Sequence, residues 1–230
     1  MAYGQTTLAE LTRKDCRNFT LYYALHGVVL PVMQIEYEAT FTNIDKGDVR
    51  ARLKHAGAIL VSPEMLLKRV VFNLPKGHEI EGGWLRVRQQ HDGVTVSLKV
   101  VNGSKIENQR ETMLRVDNFE AAVSLLSDLG ASKRADQESR REIWELSLAG
   151  GAGTVEICID EWPFLESFVE VEGLSEAAVR AAATQLGFDY RVAKFCAVGT
   201  LYEEKYGVPE KVVNEQTPRL VFDMRNPFLK

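Results

Sequence analysis

Polar and apolar residues alternate strictly along the segment that begins at Gln34. The polar positions are Gln34, Glu36, Glu38 and Thr40, and the apolar positions are Ile35, Tyr37, Ala39 and Phe41. Successive side chains of a strand point to opposite faces, so this period of two predicts a strand with one polar face. The next segment, 45–58, has apolar residues at helical spacing and ends at Gly57, which predicts an amphipathic helix.

Further elements follow in blocks of strands separated by single helices. Strands are predicted at 66–74, 83–90, 93–101 and 109–116, then at 139–148, 154–160 and 166–172. The turn His91-Asp92-Gly93 is typical of a hairpin, and the glycine-rich segment 149–153 also fits a hairpin, because no helix follows it. Helices are predicted from the capping residue Asn118 to Gly130, from Ser175 to Gly187, and over 191–206.

The order of these elements indicates the fold class. Runs of strands joined by short turns favour an antiparallel sheet over alternating strand and helix units. Eight strands are enough to close a barrel, and closure would turn the polar strand faces inward around a ligand. We therefore predict an α+β protein with a closed eight-stranded antiparallel β-barrel and flanking helices.

The first 32 residues differ from the rest because they carry no clear period. Met33 directly precedes the first well-patterned strand, so we expect Met33 to be the start of the native protein and residues 1–32 to be an extension. Residues 33–230 are long enough for one domain with a sizeable core.

Composition excludes several classes of protein. The chain has 28 basic and 32 acidic residues, a net charge of −4, so no global field attracts it to nucleic acid or to an anionic membrane. Three widely spaced cysteines and the lack of a long apolar run argue against a disulfide framework, a thiolate zinc site and a membrane span. We expect a cytoplasmic protein whose anion binding is local.

Carboxylates recur at a period of two on three predicted strands. They are Glu36 with Glu38, Glu156 with Asp160, and Glu170 with Glu172. Like charges on one face of a sheet destabilise it unless water or a hard cation neutralises them. A set of oxygen ligands without histidine suits Mg²⁺ or Mn²⁺ better than zinc.

Basic side chains recur on other strands in the same way. They are Arg86 and Arg88, Lys99, and Arg141. Guanidinium groups match phosphate oxygens bidentately, and lysine supplies a compact charge. Each strand alone could be an ordinary solvated face, but the repetition over six strands favours a site for a metal–polyphosphate complex.

The ordered set of motifs resembles the CYTH family of triphosphate tunnel proteins over about residues 33–205. The family opens with an E-x-E-x-K strand, and this chain has Glu36 and Glu38 there. It closes with an aspartate followed ten and twelve residues later by two glutamates, a spacing that Asp160, Glu170 and Glu172 match. Basic residues at family positions are Arg86, Arg88, Lys99, Arg141 and Lys194.

The resemblance implies a role for each matched residue. Metal ligands would be Glu36, Glu38, Asp160, Glu170 and Glu172. Residues that bind triphosphate oxygens and support catalysis would be Arg86, Arg88, Lys99, Arg141 and Lys194. Weaker candidates are Arg69, Glu111 and Arg134. The implied substrates are ATP, thiamine triphosphate or tripolyphosphate, and the implied reaction is hydrolysis or cyclisation.

One departure from the family motif leaves alternatives open. Thr40 stands where the family has lysine, and it cannot supply positive charge to a phosphate. The first alternative is therefore a binding module that does not catalyse turnover, and the second is a purely structural barrel. The sequence also does not identify a base pocket, because Tyr37, Trp84 and Trp144 could stack on a base or pack in the core.

Overall fold

The computed structural model describes residues 24–25, 28–29, 33–151 and 153–229. The chain divides into two units, Met1–Val32 and Met33–Lys230. In the first unit, a short antiparallel hairpin pairs β1 (Ala24–Leu25) with β2 (Val28–Val29). The rest of the predicted extension, residues 1–32, lies outside the described residues, as does Cys16.

The second unit contains the remaining strands and the helices. Its strands are β3 (Gln34–Ile35), β4 (Tyr37–Phe41), β5 (Ile59–Asn73), β6 (Gly83–Gln90), β7 (Gly93–Val101), β8 (Gln109–Val116), β9 (Ser132–Ser147), β10 (Thr154–Glu161), β11 (Phe168–Gly173) and β12 (Arg219–Leu220). Its helices are α1 (Lys46–His55), α2 (Phe119–Asp128), α3 (Glu176–Gln185), α4 (Val198–Tyr206) and α5 (Glu210–Glu215). None of these helices combines the length and the apolar character that crossing a bilayer requires.

Antiparallel pairing brings the sheet almost into a closed barrel. The strand order is β3-β8-β7-β6-β5-β9-β10-β11-β4, and β12 pairs in parallel with β9 outside this path. The two end strands are successive pieces of one segment, separated by Glu36, whose backbone N–H still donates to the carbonyl of Gln109 at 2.9 Å. The predicted α+β barrel is confirmed, with nine strands in the described part of the path instead of eight.

The apolar side chains lie mainly on the outer surface of the barrel. One cluster joins strands β4, β9, β10 and β11 to helices α1 and α3, and includes Leu53, Trp144 and Val179. A second lies between β5, β6, β7 and α2, and a third joins Trp162 and Phe168 to the C-terminal helices. Because the helices cover the outer face, the polar strand faces point into the barrel.

The helix starts follow the sequence closely. Asp45, Asn118 and Ser175 are N-caps of α1, α2 and α3, and each side chain accepts a hydrogen bond from a backbone N–H of the first turn. Such caps satisfy backbone donors that have no partner inside the helix. The predictions of these three helices are correct to within a few residues.

Several predicted boundaries were wrong. Strand β5 begins at Ile59 instead of 66, because Pro63 and irregular register between Leu60 and Met65 hide its alternation. Strand β9 begins at Ser132 instead of 139, in a charged stretch whose pairing partners are distant in sequence. The predicted helix over 191–206 is α-helical only from Val198, after a short 3-10 helix at Tyr190–Val192. Helix α5 and strand β12 were not predicted.

Candidate functional site

The barrel interior collects the charged residues that alternate along the strands. Cross-strand register places Glu38 opposite Glu172 on β4 and β11, and Asp160 opposite Arg141 on β10 and β9. It also places Lys99 opposite Glu111 on β7 and β8. Only Glu38 and Glu172 come from strands far apart in sequence, whereas the other two pairs join consecutive strands. Barrel closure brings the three pairs into one interior.

Lys99 is the centre of one group of ion pairs. Its Nζ lies 2.8 Å from Oε2 of Glu36 and 4.0 Å from Oε2 of Glu111. Glu111 also accepts a hydrogen bond from Nη2 of Arg86 at 2.9 Å. The side chains of Lys99, Glu36 and Glu111 are between 11% and 13% exposed, so water screens these interactions weakly.

Arg141 is the centre of a second group. Its Nε and Nη2 donate to the two carboxylate oxygens of Asp160 at 2.8 and 2.6 Å, which is a bidentate pair. Nη2 also donates to Glu170. Burial raises the pKa of Asp160 to about 6 despite the opposing charge of Arg141. For Glu170, burial acts in the same direction, but Arg141 and Lys99 outweigh it and lower its pKa.

The remaining carboxylates repel one another. Burial, followed by the charge of Glu170, raises the pKa of Glu38 to about 8. Burial and the charge of Glu156 raise the pKa of Glu172 to about 7. These carboxylates have too little positive charge around them, and an additional cation would stabilise their ionised forms.

Glu36 and Glu111 respond in opposite ways to the same surroundings. Burial raises the pKa of Glu36 well above its ordinary value, with Lys99 opposing the shift. Burial also favours a proton on Glu111, but Lys99 and Arg86 prevail and hold its pKa well below the ordinary value. Glu111 is thus a stable anion that anchors two of the basic side chains.

Four buried donors on neighbouring strands form what we call the arginine patch: Arg69, Arg86, Arg88 and Ser97. Arg69 lies opposite Arg88, and Arg86 lies opposite Ser97, in the register of β5, β6 and β7. The four residues are between 1% and 8% exposed. The three Nε atoms and the Ser97 hydroxyl have no hydrogen-bond partner within the described part of the chain.

A buried donor without a partner is costly, because it has lost its hydrogen bonds to water. The arginine patch combines several such donors with like charges on adjacent strands, which adds electrostatic repulsion. Burial, followed by the charge of Arg86, lowers the pKa of Arg88 to about 10. An anion with several oxygen acceptors would accept hydrogen bonds from these donors and would also offset the repulsion between the guanidinium groups.

Lys194 and Thr40 lie side by side without adding a charge to these groups. Their backbones form a bridge, in which each N–H donates to the carbonyl of the other at 2.9 and 3.0 Å. The ammonium of Lys194 pairs with Glu204 on α4. The structure therefore brings Arg86, Arg88, Lys99 and Arg141 into the interior groups, and it directs the Lys194 ammonium to Glu204.

Other candidates fall outside these ion-pair groups. Glu156 is exposed at the start of β10 and accepts a weak hydrogen bond from Cys158 at 3.4 Å. Arg134 donates to Asn73 at 2.8 Å and lines a groove of about 1130 Å³. Trp84 lines the same groove.

The other two aromatic candidates pack on the outer surface. Tyr37 is packed against the first apolar cluster, and Trp144 is buried in that cluster. The indole Nε1 of Trp144 donates to Glu142 at 2.7 Å, which satisfies its polar atom outside the barrel interior. Trp84 alone of the three shares a strand face with the arginine patch, because it precedes Arg86 by two positions.

The carboxylates fit a hard divalent cation by donor chemistry. Glu36, Glu38, Asp160, Glu170 and Glu172 supply oxygen ligands only, as Mg²⁺ and Mn²⁺ prefer. The raised pKa values of Glu38 and Glu172 mark the place where positive charge is lacking. Within the described residues, no three acidic, histidine or cysteine side chains converge on one point as a ready ligand set, so binding would require these carboxylates to reorient.

Sequence reasoning underrated two residues of the interior. Arg69 and Glu111 were weak candidates, yet Arg69 belongs to the arginine patch and Glu111 contacts both Arg86 and Lys99. The available signal was strand alternation. Glu111 lies two residues from Gln109 on the same predicted strand, so the two side chains share a face, and Gln109 is buried. Only the cross-strand register reveals which of these side chains meet.

The fold is that of CYTH-type structures, a class of β-barrel proteins. Similar solved structures are the PH1012 protein of Pyrococcus horikoshii OT3, with 20% identity and a TM-score of 0.55 over 70% of this chain and 96% of that chain, and a conserved hypothetical protein of Pyrococcus furiosus, with 22% identity and a TM-score of 0.53 over 70% and 96%. A Vibrio parahaemolyticus protein, provisionally named an adenylate cyclase, has 15% identity and a TM-score of 0.60 over 77% and 100%. No protein-family model and no curated protein matches the chain.

Proposed function

We propose that the barrel interior binds a triphosphate compound with divalent metal ions and acts as a phosphohydrolase or phosphorus–oxygen lyase. The observation that carries this proposal is the combination of buried donors without partners and repelling carboxylates in one interior. A polyphosphate chain would supply acceptors for the buried donors, and cations bound to that chain would neutralise the carboxylates. The adenylate cyclase name of the Vibrio parahaemolyticus structure is consistent with this class of ligand.

The basic side chains would bind the phosphate oxygens. Arg86 and Arg88 present unpartnered Nε donors, and Lys99 and Arg141 are held in place by carboxylates. Guanidinium and ammonium groups fixed before the reaction stabilise negative charge that develops on the phosphoryl oxygens. Lys194 would join them only by exchanging Glu204 for the ligand.

The carboxylates would hold Mg²⁺ or Mn²⁺. When bound, such ions act as Lewis acids on phosphate oxygens. Glu36, Asp160 and Glu170 are paired with Lys99 or Arg141, so ligand binding requires these pairs to separate. Glu38 and Glu172 carry raised pKa values, and they would release protons as they ionise.

The substrate and the nucleophile together define the reaction. Water as nucleophile gives hydrolysis of tripolyphosphate, thiamine triphosphate or ATP, whereas the ribose 3′-hydroxyl of ATP gives cyclic AMP and pyrophosphate. The groove beside Trp84 could hold the organic part of a substrate. Product analysis distinguishes the reactions directly.

The test is an assay of purified protein with Mg²⁺ or Mn²⁺ and each of the three triphosphates. We expect metal-dependent release of phosphate, or of pyrophosphate with cyclic AMP, that chelation by EDTA abolishes. The double variant Glu170→Ala, Glu172→Ala should lose the activity. Its matched control is Glu120→Ala, Asp128→Ala on α2, which changes the net charge equally at exposed positions and should retain it.

A binding module without turnover is the second candidate, and Thr40 favours it. Thr40 is 3% exposed beside Glu170 and supplies no cation there. Metal-dependent triphosphate binding without any product would establish this candidate. Absence of both binding and turnover would contradict both functions and leave the structural barrel.

A further inference from the structure

Arg69 occupies the middle strand of the barrel path, and in the sequence it is only a weak candidate for the site. It lies on β5 directly opposite Arg88 and is 6% exposed. Neighbouring guanidinium groups repel each other, and a structural role alone would not require a third one at this point. Its contacts therefore need an explanation of their own.

Two contacts fix the plane of the Arg69 guanidinium. Nη2 donates to the hydroxyl of Ser139, and the group stacks over the ring of Trp162 at 4.4 Å from the centroid. Both partners are neutral, so neither one compensates the charge. The Nε–H is left without a partner among the described residues. A rigid, buried and partly unsatisfied guanidinium is typical of a preorganised anion site.

The electrostatic cost of this arrangement is large. Burial, followed by the charges of Arg88 and Arg86, lowers the pKa of Arg69 well below its ordinary value. An apolar side chain at this position would remove the repulsion. The arrangement is therefore unfavourable in the ligand-free protein and becomes favourable when an anion lies between the arginines.

The strand register of the unpartnered donors indicates the kind of anion that fits them. The three Nε donors and the Ser97 hydroxyl belong to adjacent strands, so they can surround one compact group with several oxygen acceptors. A phosphoryl group has this shape and charge. Thr40 supplies no cation to the interior, and Arg69 adds one from the opposite part of the barrel wall.

We propose that Arg69 is a further phosphate-binding residue, which binds one phosphoryl group of the triphosphate together with Arg86, Arg88 and Ser97. This inference rests on the proposed function, because it assigns a residue to the same site. It makes the arginine patch, with three guanidinium groups, the part of the site that binds phosphate before the reaction.

The experiment compares three variants with the wild-type protein. Arg69→Met removes the charge, Arg69→Lys keeps it without the Nε donor, and Arg140→Met is the matched control. Arg140 also lies on a barrel strand and stacks on an aromatic ring, that of Phe222 at 4.2 Å, but it pairs with Glu161 and its side chain is 42% exposed. Tripolyphosphate affinity is measured by calorimetry with Mg²⁺, and the ligand-free Tm is measured in parallel.

We expect Arg69→Met to weaken tripolyphosphate binding about ten- to hundredfold, as the loss of a hydrogen bond to a charged group predicts. Its ligand-free Tm should be equal to or above that of the wild type, because the repulsion from Arg88 is gone. Arg69→Lys should lie between Arg69→Met and the wild type in affinity. Arg140→Met should bind within about twofold of the wild type.

Each contrary outcome has a separate meaning. Equal affinities of Arg69→Met and Arg140→Met would overturn the role of Arg69 and leave the proposed function intact. A wild-type protein that binds no tripolyphosphate would overturn the proposed function and this inference with it. If Arg69→Met does not fold, Arg69→Lys decides: weakened binding supports the role, and wild-type affinity overturns it.

Discussion

In the barrel interior, the pKa of a side chain depends on its neighbours more than on its residue type. Glu38 and Glu170 are both glutamates on adjacent strands, yet Glu38 has a raised pKa and Glu170 a lowered one. The difference arises because Arg141 contacts Glu170 and offsets its burial. Residue type therefore identified the candidates, and the contacts determine how each of them is charged.

Trp84 provides a prediction at this scale. It shares its strand face with Arg86 and lines the groove, so its indole can stack on the organic ring of a substrate. Inorganic tripolyphosphate has no ring on which the indole could stack. Trp84→Ala should weaken binding of ATP and thiamine triphosphate about tenfold, and leave tripolyphosphate binding within about twofold. Trp84→Phe, which keeps a stacking surface, is the control. Equal losses for all three ligands in a calorimetric titration would contradict a role in stacking.

Helices and strands were predicted best where local patterning is regular. Strands β6, β7 and β8 have the predicted bounds, because their alternation is uninterrupted. The segment before α4 was predicted as helix, but Lys194 instead pairs with Thr40 in an extended bridge. That bridge is a contact between residues far apart in sequence, which helical propensity does not reveal.

The helices covering the barrel predict how stability depends on them. Leu53 of α1 is fully buried in the outer cluster, whereas Leu125 of α2 is 58% exposed. Leu53→Ala should lower the free energy of unfolding by about 2–5 kcal/mol, because it leaves a cavity. Leu125→Ala, the same substitution at the surface, should change it by less than about 0.5 kcal/mol. Urea unfolding measures both, and similar values would show that α1 does not support the barrel as described.

The second unit, Met33–Lys230, forms a barrel whose apolar core lies outside the strands. Apolar clusters lie between the strands and the covering helices, and the interior is left to charged groups. In the ligand-free protein those groups neutralise one another through pairs such as Lys99 with Glu36 and Arg141 with Asp160. A metal ion competes for the carboxylates of these pairs, and a triphosphate competes for their basic partners.

This exchange predicts coupled binding of metal and triphosphate. Each ligand releases partners that the other needs, so each should increase the affinity for the other by the same factor. The rise in Tm with Mg²⁺ and tripolyphosphate together should exceed the sum of the two separate rises. Sodium chloride of equal ionic strength is the control, and EDTA should reverse the metal-dependent part. Additive shifts in differential scanning fluorimetry would contradict the coupling.

The sequence by itself determined the polar strand faces, the α+β class and most of the charged residues, because alternation and residue type are local properties. The tertiary structure decided how those faces close into one interior, which charges meet and which side chains stay without partners. It paired Arg69 with Arg88 and directed the ammonium of Lys194 to Glu204. These contacts depend on the register between strands and on the packing of α4 outside the barrel, and the pattern within one strand or one helix specifies neither.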